Sequence, residues 1–411
     1  MENFFESLYA DRIGGANFGK DTEIYKFEKI KRAKAEAKRK FPDVPFIDMG
    51  VGEPDCGADA SIVRVLAEEA SKSENRFYAD NGILEFQQAA CDYMKNIYGV
   101  EGLIPEKNVV HGIGSKPILA MIPECVINPG DIALMTVPGY GVLGTHTRYL
   151  GGSTYNLPLI AENSFLPDLD SIPKDILSKA KLLYINYPNN PTGATATPEF
   201  FRDVVEFAKK NHIMVVHDAS YAAVTMDDYK PLSFLSVDGA MDVGIEIHSM
   251  SKAFNMTGWR MAFAAGNENI IKAYATVKDN TDSGQFRAIQ KACVYALNHT
   301  ELTDAICRKY SRRFDLLVNA LNEVGFNASK PNGSFYCYVK APIGAGDVQF
   351  SSAEEATEFI IKHAQISTVP WDDAGAYLRM SVTFEATDES EEIAVVEDMK
   401  SRLNKLDLKF K

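Results

Sequence analysis

The 411-residue chain has no apolar run long enough to span a bilayer, so no membrane partner is expected. It has six cysteines, Cys56, Cys91, Cys125, Cys293, Cys307 and Cys337, and none forms a CxxC pair. Their spacing outlines neither a zinc site nor a disulfide framework. Buried, reduced thiols of a cytoplasmic protein are the expectation. The seven histidines form no evident metal set, so no metal is expected. Positive charge is in deficit, with 43 Lys and Arg against 56 Asp and Glu and a net charge of -13. That argues against nucleic acid, whose phosphates need basic surface. It leaves room for a small anionic ligand, because a pocket can be basic on an acidic protein. The opening stretch MENFFESLYADRIGG lacks the apolar core of a signal peptide, which again points to the cytoplasm. Internal repeats and low-complexity segments are absent.

What is present has the length of two domains. The stretch from Glu23 to Lys40 is rich in Lys, Ala and Glu and reads as an exposed helix. From about 46 to 270, short apolar runs (132–137, 182–186, 213–217, 243–248 and 261–265) alternate with helical stretches such as 198–210. Buried strands alternating with helices predict a doubly wound α/β domain around a mostly parallel sheet. Beyond it come a long helical stretch over 286–325, a strand over 333–339, a helix over 354–363, a strand over 376–382 and a terminal helix over 388–406. This predicts a large α/β domain over 46–285, and a smaller α+β domain in which 286–411 recruits residues 1–45. In doubly wound sheets ligands lie outside the carboxyl ends of the strands. Polar clusters fall at those ends here: Pro138-Gly139-Tyr140, Tyr187 to Gly193, Asp218 to Tyr221 and Ser249-Met250-Ser251-Lys252.

The last cluster, with Arg260 eight positions on, carries the sharpest chemistry. An amine in a hydroxyl-rich turn can form a Schiff base with an aldehyde, while hydroxyls and a guanidinium hold a phosphate. An aldehyde and a phosphate on one small ring describe pyridoxal 5'-phosphate. Asp218, ending an apolar run, suits a protonated pyridine nitrogen, or else a helix N-cap. Tyr221 suits the ring's phenolic oxygen, or else the core. Asn190 sits in Tyr187-Pro188-Asn189-Asn190-Pro191-Thr192-Gly193, a turn in which two prolines place one amide. Gly112-Ile113-Gly114-Ser115-Lys116-Pro117 precedes a helix, Ile118 onward, and offers an anion cradle. Tyr140 offers an aromatic face to a planar ring. Tyr78, in a turn ahead of a helix, is a candidate phosphate hydroxyl. Arg379 lies inside an apolar strand, where a charge needs a partner. A substrate carboxylate or a structural ion pair would serve.

Together, Gly52-Glu53-Pro54, Tyr78 to Gly82, Gly114-Ser115-Lys116, Tyr140, Asn190 to Gly193, Asp218 with Tyr221, Ser249 to Lys252 with Arg260, and Arg379 resemble the class I/II aminotransferases of pyridoxal-phosphate fold type I. The likeness spans about residues 45–385. It implies Lys252 as Schiff-base lysine and proton shuttle, Asp218 on the ring nitrogen, Asn190 and Tyr221 on the ring oxygen, and Tyr140 stacked on the ring. It implies Gly114, Ser115 and Lys116 (through backbone N–H), Ser249 and Arg260 on the phosphate. Tyr78 would reach the phosphate of a neighbouring subunit, giving a homodimer with shared active sites. Arg379, with Gly52 and Asn190, would bind the substrate α-carboxylate. The substrates implied are amino acids and 2-oxo acids. Within the family the chain looks most like the LL-diaminopimelate group, on the strength of Asp11 to Gly19 and Glu246-Ile247-His248-Ser249. That implies exchange between glutamate/2-oxoglutarate and LL-diaminopimelate/tetrahydrodipicolinate in lysine biosynthesis. Aspartate, alanine or aromatic amino acids are the alternative. Better-known members of that group carry an acidic residue at the position of Asn81, and the segment 279–285 also departs from their pattern.

Overall fold

The structure, a computed structural model, describes residues 4–20 and 26–411. Its largest sheet has seven strands: β1 (Val109–Gly112), β2 (Ile132–Val137), β3 (Ser153–Pro158), β4 (Ala180–Asn186), β5 (Met214–Asp218), β6 (Gly244–Ser249) and β7 (Ala262–Gly266). Their order is β3-β2-β4-β5-β6-β7-β1, and every neighbouring pair is parallel except those made by β7. The expected mostly parallel sheet is therefore present, with strand limits within two residues of the apolar runs. The runs are continuous rather than alternating because both faces are covered. Leu183, Ile185, Val215 and Phe263 enter one core, with the helices Leu84–Tyr98 and Pro198–Asn211. Leu182, Tyr184, Val216 and Ile247 enter the other, with Ser115–Val126 and Glu268–Asp279.

Register brings the strand ends level. Asn186 pairs with Asp218, Asp218 with Ile247, and Ser249 and Gly112 both with Ala262. Because β7 runs the other way, the residues that enter it, Arg260 among them, fall on the same rim as the carboxyl ends of its neighbours.

A separate apolar core gathers Phe314, Leu317, Phe335, Tyr336, Ile360, Leu378 and Met399. It is built on a three-stranded antiparallel sheet, β9-β10-β8, from β8 (Tyr336–Lys340), β9 (Val369–Trp371) and β10 (Tyr377–Ser381). Ile47–Asp48, expected in the large domain, pairs in parallel with Ile366–Ser367 of this part. The single helix expected over 286–325 is two, Arg287–Leu297 and Glu301–Val324, broken at 298–300. The break lets the first pack Ala292, Cys293 and Ala296 on the large-sheet core, while the second turns Phe314 and Leu317 to the other core. The helix expected from Glu23 is described from Lys26 to Lys40, its earlier residues lying outside the described part. The thiols are free but not uniformly buried: Cys56 is exposed, and Cys125 and Cys307 are partly so. No helix among the described residues is long and apolar enough to cross a membrane.

Candidate active site

The site assembles on the rim where the strand ends meet. Lys252 lies in the short helix Met250–Ala253 directly after β6, started by Ser249, whose hydroxyl accepts the Ser251 N–H at 3.1 Å. The Lys252 Nζ donates to the Gly52 carbonyl at 2.8 Å and lies 5.5 Å from the Phe335 ring centre. Burial lowers its pKa to about 8; Glu53 opposes the shift, and Arg379 and Arg260 add to it.

Asp218 ends β5 and is 4% exposed. It is not a helix N-cap. Its Oδ2 accepts from the Tyr184 hydroxyl at 3.2 Å, and its Oδ1 from the Ser220 hydroxyl at 2.6 Å and the Ser220 N–H at 3.2 Å. Burial raises its pKa, against the Ser220 bonds and the neighbouring His217. A buried carboxylate with only neutral hydrogen-bond donors is short of a cation.

The cradle forms where β1 meets the next helix, which begins at Ser115 rather than Ile118. Gly114 has φ +85°, and a Cβ there would collide with the Arg260 guanidinium. Arg260 is thus laid on the helix entrance, steadied by a 2.7 Å bond to the Thr257 carbonyl. The helix starts without a side-chain cap, leaving its first N–H groups to an anion. The Ser220 and Ser115 hydroxyl oxygens stand 3.1 Å apart, tying cradle to carboxylate. Lys116 is exposed, and Tyr140, half-buried after β2, packs beside the Tyr184 core.

Arg379 is 5% exposed and has no carboxylate partner among the described residues. Its Nη1 donates to Asn190 Oδ1 at 2.9 Å and its Nη2 to the Gly50 carbonyl at 3.2 Å; its Nε is buried and unpaired. The guanidinium carbon stands 4.1 Å from the Tyr336 ring centre. The Tyr221 and Tyr336 hydroxyls are 3.1 Å apart, and burial, then Tyr336, raises the Tyr221 pKa well above its usual value. The Lys252 amine and the Arg379 guanidinium are therefore anchored on carbonyls two residues apart, those of Gly52 and Gly50. Tyr336, Gly50, Tyr184 and Ser220 were not singled out from the sequence. A tyrosine in an apolar strand, or a carbonyl in a loop, carries no local signature.

One candidate stands apart. Tyr78 is 78% exposed, with its carbonyl fixed by Arg287 at 2.7 Å. The departing positions nearby are themselves connected: Asn81 Nδ2 donates to Asp279 Oδ1 at 2.9 Å. The buried Lys278 amine bonds to Asp282 at 2.5 Å and to the Asp80 carbonyl. Gln285 in turn donates to the Arg260 carbonyl at 2.9 Å.

A lysine on the rim of a doubly wound sheet, with a buried carboxylate, an anion cradle and a guanidinium that has no carboxylate partner among the described residues, is the arrangement of an α/β enzyme. Comparison makes this specific. The "Aminotransferase class I and II" family profile matches residues 44–396, and the chain belongs to that family. It is 57% identical to LL-diaminopimelate aminotransferase of Methanocaldococcus jannaschii, over all of both chains. It is 55% identical to the enzyme of that name from Methanococcus maripaludis, again over all of both. Among solved structures, substrate-bound BacF from Bacillus subtilis superposes with a TM-score of 0.87 at 32% identity, covering 98% of each chain.

Proposed function

We propose that this aminotransferase works with pyridoxal 5'-phosphate and exchanges the amino group of glutamate with that of LL-diaminopimelate. The observation that carries the cofactor is the buried Asp218 carboxylate, short of a cation, facing the same rim as the Gly114–Arg260 cradle and the Lys252 amine. The residues fit the group. Asp218 would hold its ring nitrogen, Asn190 and Tyr221 its ring oxygen, Tyr140 its face, and Gly114, Ser115, Lys116, Ser249 and Arg260 its phosphate. When bound, the cofactor supplies an aldehyde for the amine and an electron sink for charge at the substrate α-carbon. Lys252, already relieved of part of its affinity for protons, takes up and returns the α-proton at its Nζ. Arg379, pointed by Asn190 and Gly50 and backed by Gly52, orients the α-carboxylate so that the α-proton faces that amine.

Tyr78 supports a homodimer, since a phenol so exposed serves a phosphate only in a neighbouring subunit's site. We place the end of the large domain at 297 rather than 285, because Arg287–Leu297 packs on the sheet core, and the small domain at 298–411 with the early chain through Met49. The substrate rests on full-length likeness to enzymes with that printed name. Asp279, held by Asn81 on the Tyr78 face, supplies negative charge for the distal amine where Asn81 itself has none. The test is the visible spectrum of purified protein during titration with amino donors. Bleaching by LL-diaminopimelate and glutamate, with little by alanine or aspartate, is expected. Bleaching by aspartate or aromatic donors instead would remove the substrate and keep the class, and no cofactor band at all would remove both.

A further inference from the structure

Beneath the rim, on the face of the sheet opposite the Asp218 carboxylate, lies a buried ionic unit that the chemistry above does not use. His217 and Glu246 are register partners on β5 and β6, and His248 follows two residues along β6 on the same face. Glu246 is fully buried. Its Oε2 accepts from His217 Nδ1 at 2.8 Å and the Phe234 N–H at 2.7 Å; its Oε1 accepts from His248 Nε2 at 2.5 Å and the Ser233 hydroxyl at 2.8 Å. Four donors occupy the carboxylate's four acceptor positions. Burial pushes the Glu246 pKa up, but His248 and His217 overcome this and hold it well below the carboxylate range.

His217 also places its Nε2 3.0 Å from the Tyr187 carbonyl. A carbonyl and a carboxylate both accept only, so both ring nitrogens must carry hydrogen for both bonds to exist. The ring is then a buried cation balanced by Glu246. Each of its attachments leads to the site. Tyr187 opens the turn that carries Asn190. The Asn186 side chain closes the same span, donating to the Asp218 carbonyl at 2.7 Å and accepting the Asn190 N–H at 2.8 Å. His217 itself precedes Asp218. His248, stacked on Phe263 at 5.2 Å and 14°, precedes Ser249, which starts the Lys252 helix.

We propose that His217, held charged by Glu246 and steadied by His248, is a positioning residue that fixes the separation of Asn190, Asp218 and the Lys252 helix. The proposal rests on the reading of the site given above. A packing role alone would require only stability from these groups, whereas positioning requires that their loss be felt by the cofactor.

The test compares full-length His217→Gln, Glu246→Gln and the double variant with Asp218→Asn, using cofactor-free protein. Fluorescence quenching gives affinity for pyridoxal phosphate, circular dichroism gives folding, and the visible band's pH midpoint reports on the ring's surroundings. His217→Gln should stay folded, bind cofactor about tenfold to a hundredfold more weakly, as when groups that orient a ligand are lost, and move the midpoint. The double variant should be no worse than the worse single one, as for groups acting as a unit. Wild-type affinity and midpoint in folded His217→Gln, with Asp218→Asn impaired, overturn the proposal alone. Wild-type behaviour in Asp218→Asn too overturns the site reading and the proposal with it. If Glu246→Gln does not fold, histidine-15N resonances of the unaltered protein decide. One ring with both nitrogens protonated supports the proposal, and a bare nitrogen in every ring overturns it.

Discussion

Lys252 is the residue whose environment makes the most direct prediction. Burial, with Arg379 and Arg260 nearby, favours the neutral amine and lowers its pKa from 10.5 to about 8. The neutral form attacks an aldehyde, so at pH 8 about half of the amines are ready, against well under ~1% for a solvated lysine. The rate at which a visible band develops on adding pyridoxal phosphate to cofactor-free enzyme should therefore rise through a midpoint near pH 8 and level off. A midpoint near the ordinary lysine value would show the amine to be solvated. The same shift has a stability consequence with a definite sign. Between pH 8 and 10.5 the unfolded chain holds the Lys252 proton that the folded chain has released, so this residue's contribution to stability rises with pH across that window. Comparing the melting of wild type and Lys252→Met across that range isolates it. Arg379 makes a different prediction. Its buried guanidinium lacks an anion among the described residues, so Arg379→Ala should weaken amino- and oxo-acid substrates about a hundredfold in kcat/KM. Equal kinetics would move the carboxylate elsewhere. At Asp279 the effect is narrower. Asp279→Asn should raise KM for LL-diaminopimelate about fivefold, the scale of one exposed charge pair, and leave the glutamate half-reaction unchanged. An equal rise for both donors would refute a distal role.

At the scale of elements, the site depends on how a strand hands over to a helix. Gly114 holds φ +85° where β1 enters Ser115–Val126, and the guanidinium of Arg260 occupies the space a Cβ would need. Gly114→Ala should displace Arg260 and strain the backbone. The expected result is cofactor affinity lowered about tenfold or more, with the fold retained, because the fault lies at a rim turn rather than in the core. Inorganic phosphate should protect the wild-type cofactor-free protein against heat and protect this variant less. This handover was legible in the sequence, since Gly-x-Gly before an apolar helix has a local cause. The apolar runs of β2 and β4 to β7 were legible for a like reason, as strands buried on both faces show as unbroken hydrophobic stretches. The break at 298–300 was not. Asn298, His299 and Thr300 carry no proline or glycine, and the two helices part because they serve different cores, which is a tertiary fact. The His217–Glu246 pairing was equally hidden, since it joins strands 29 residues apart whose register only the folded sheet sets.

At the scale of the whole molecule, the proposed dimer accounts for an unequal distribution of functional groups. Lys252, Asp218, Arg260 and Arg379 meet within one chain, while Tyr78 stands 78% exposed near Phe77 and Phe286, at 53% and 42%. Aromatic surface of this kind, on a turn fixed from behind by Arg287, Lys278 and Gln290, is rigid and ready to be covered. In the proposed two-fold dimer this patch would lie at the subunit contact, each Tyr78 would reach the other subunit's site, and every site would draw on both chains. This can be tested without knowing the substrate. Tyr78→Asp sets an anion against the phosphate and should be nearly inactive, as should Lys252→Ala. In a hybrid of the two, one site carries both defects and the other carries neither. Unfolding, mixing and refolding equal amounts should therefore restore about a quarter of wild-type activity, half the dimers being hybrid with one good site of two. Sedimentation should show dimers throughout. Dimers that regain no activity would place Tyr78 and Lys252 in the same subunit's site, and the exposed turn would need another occupant.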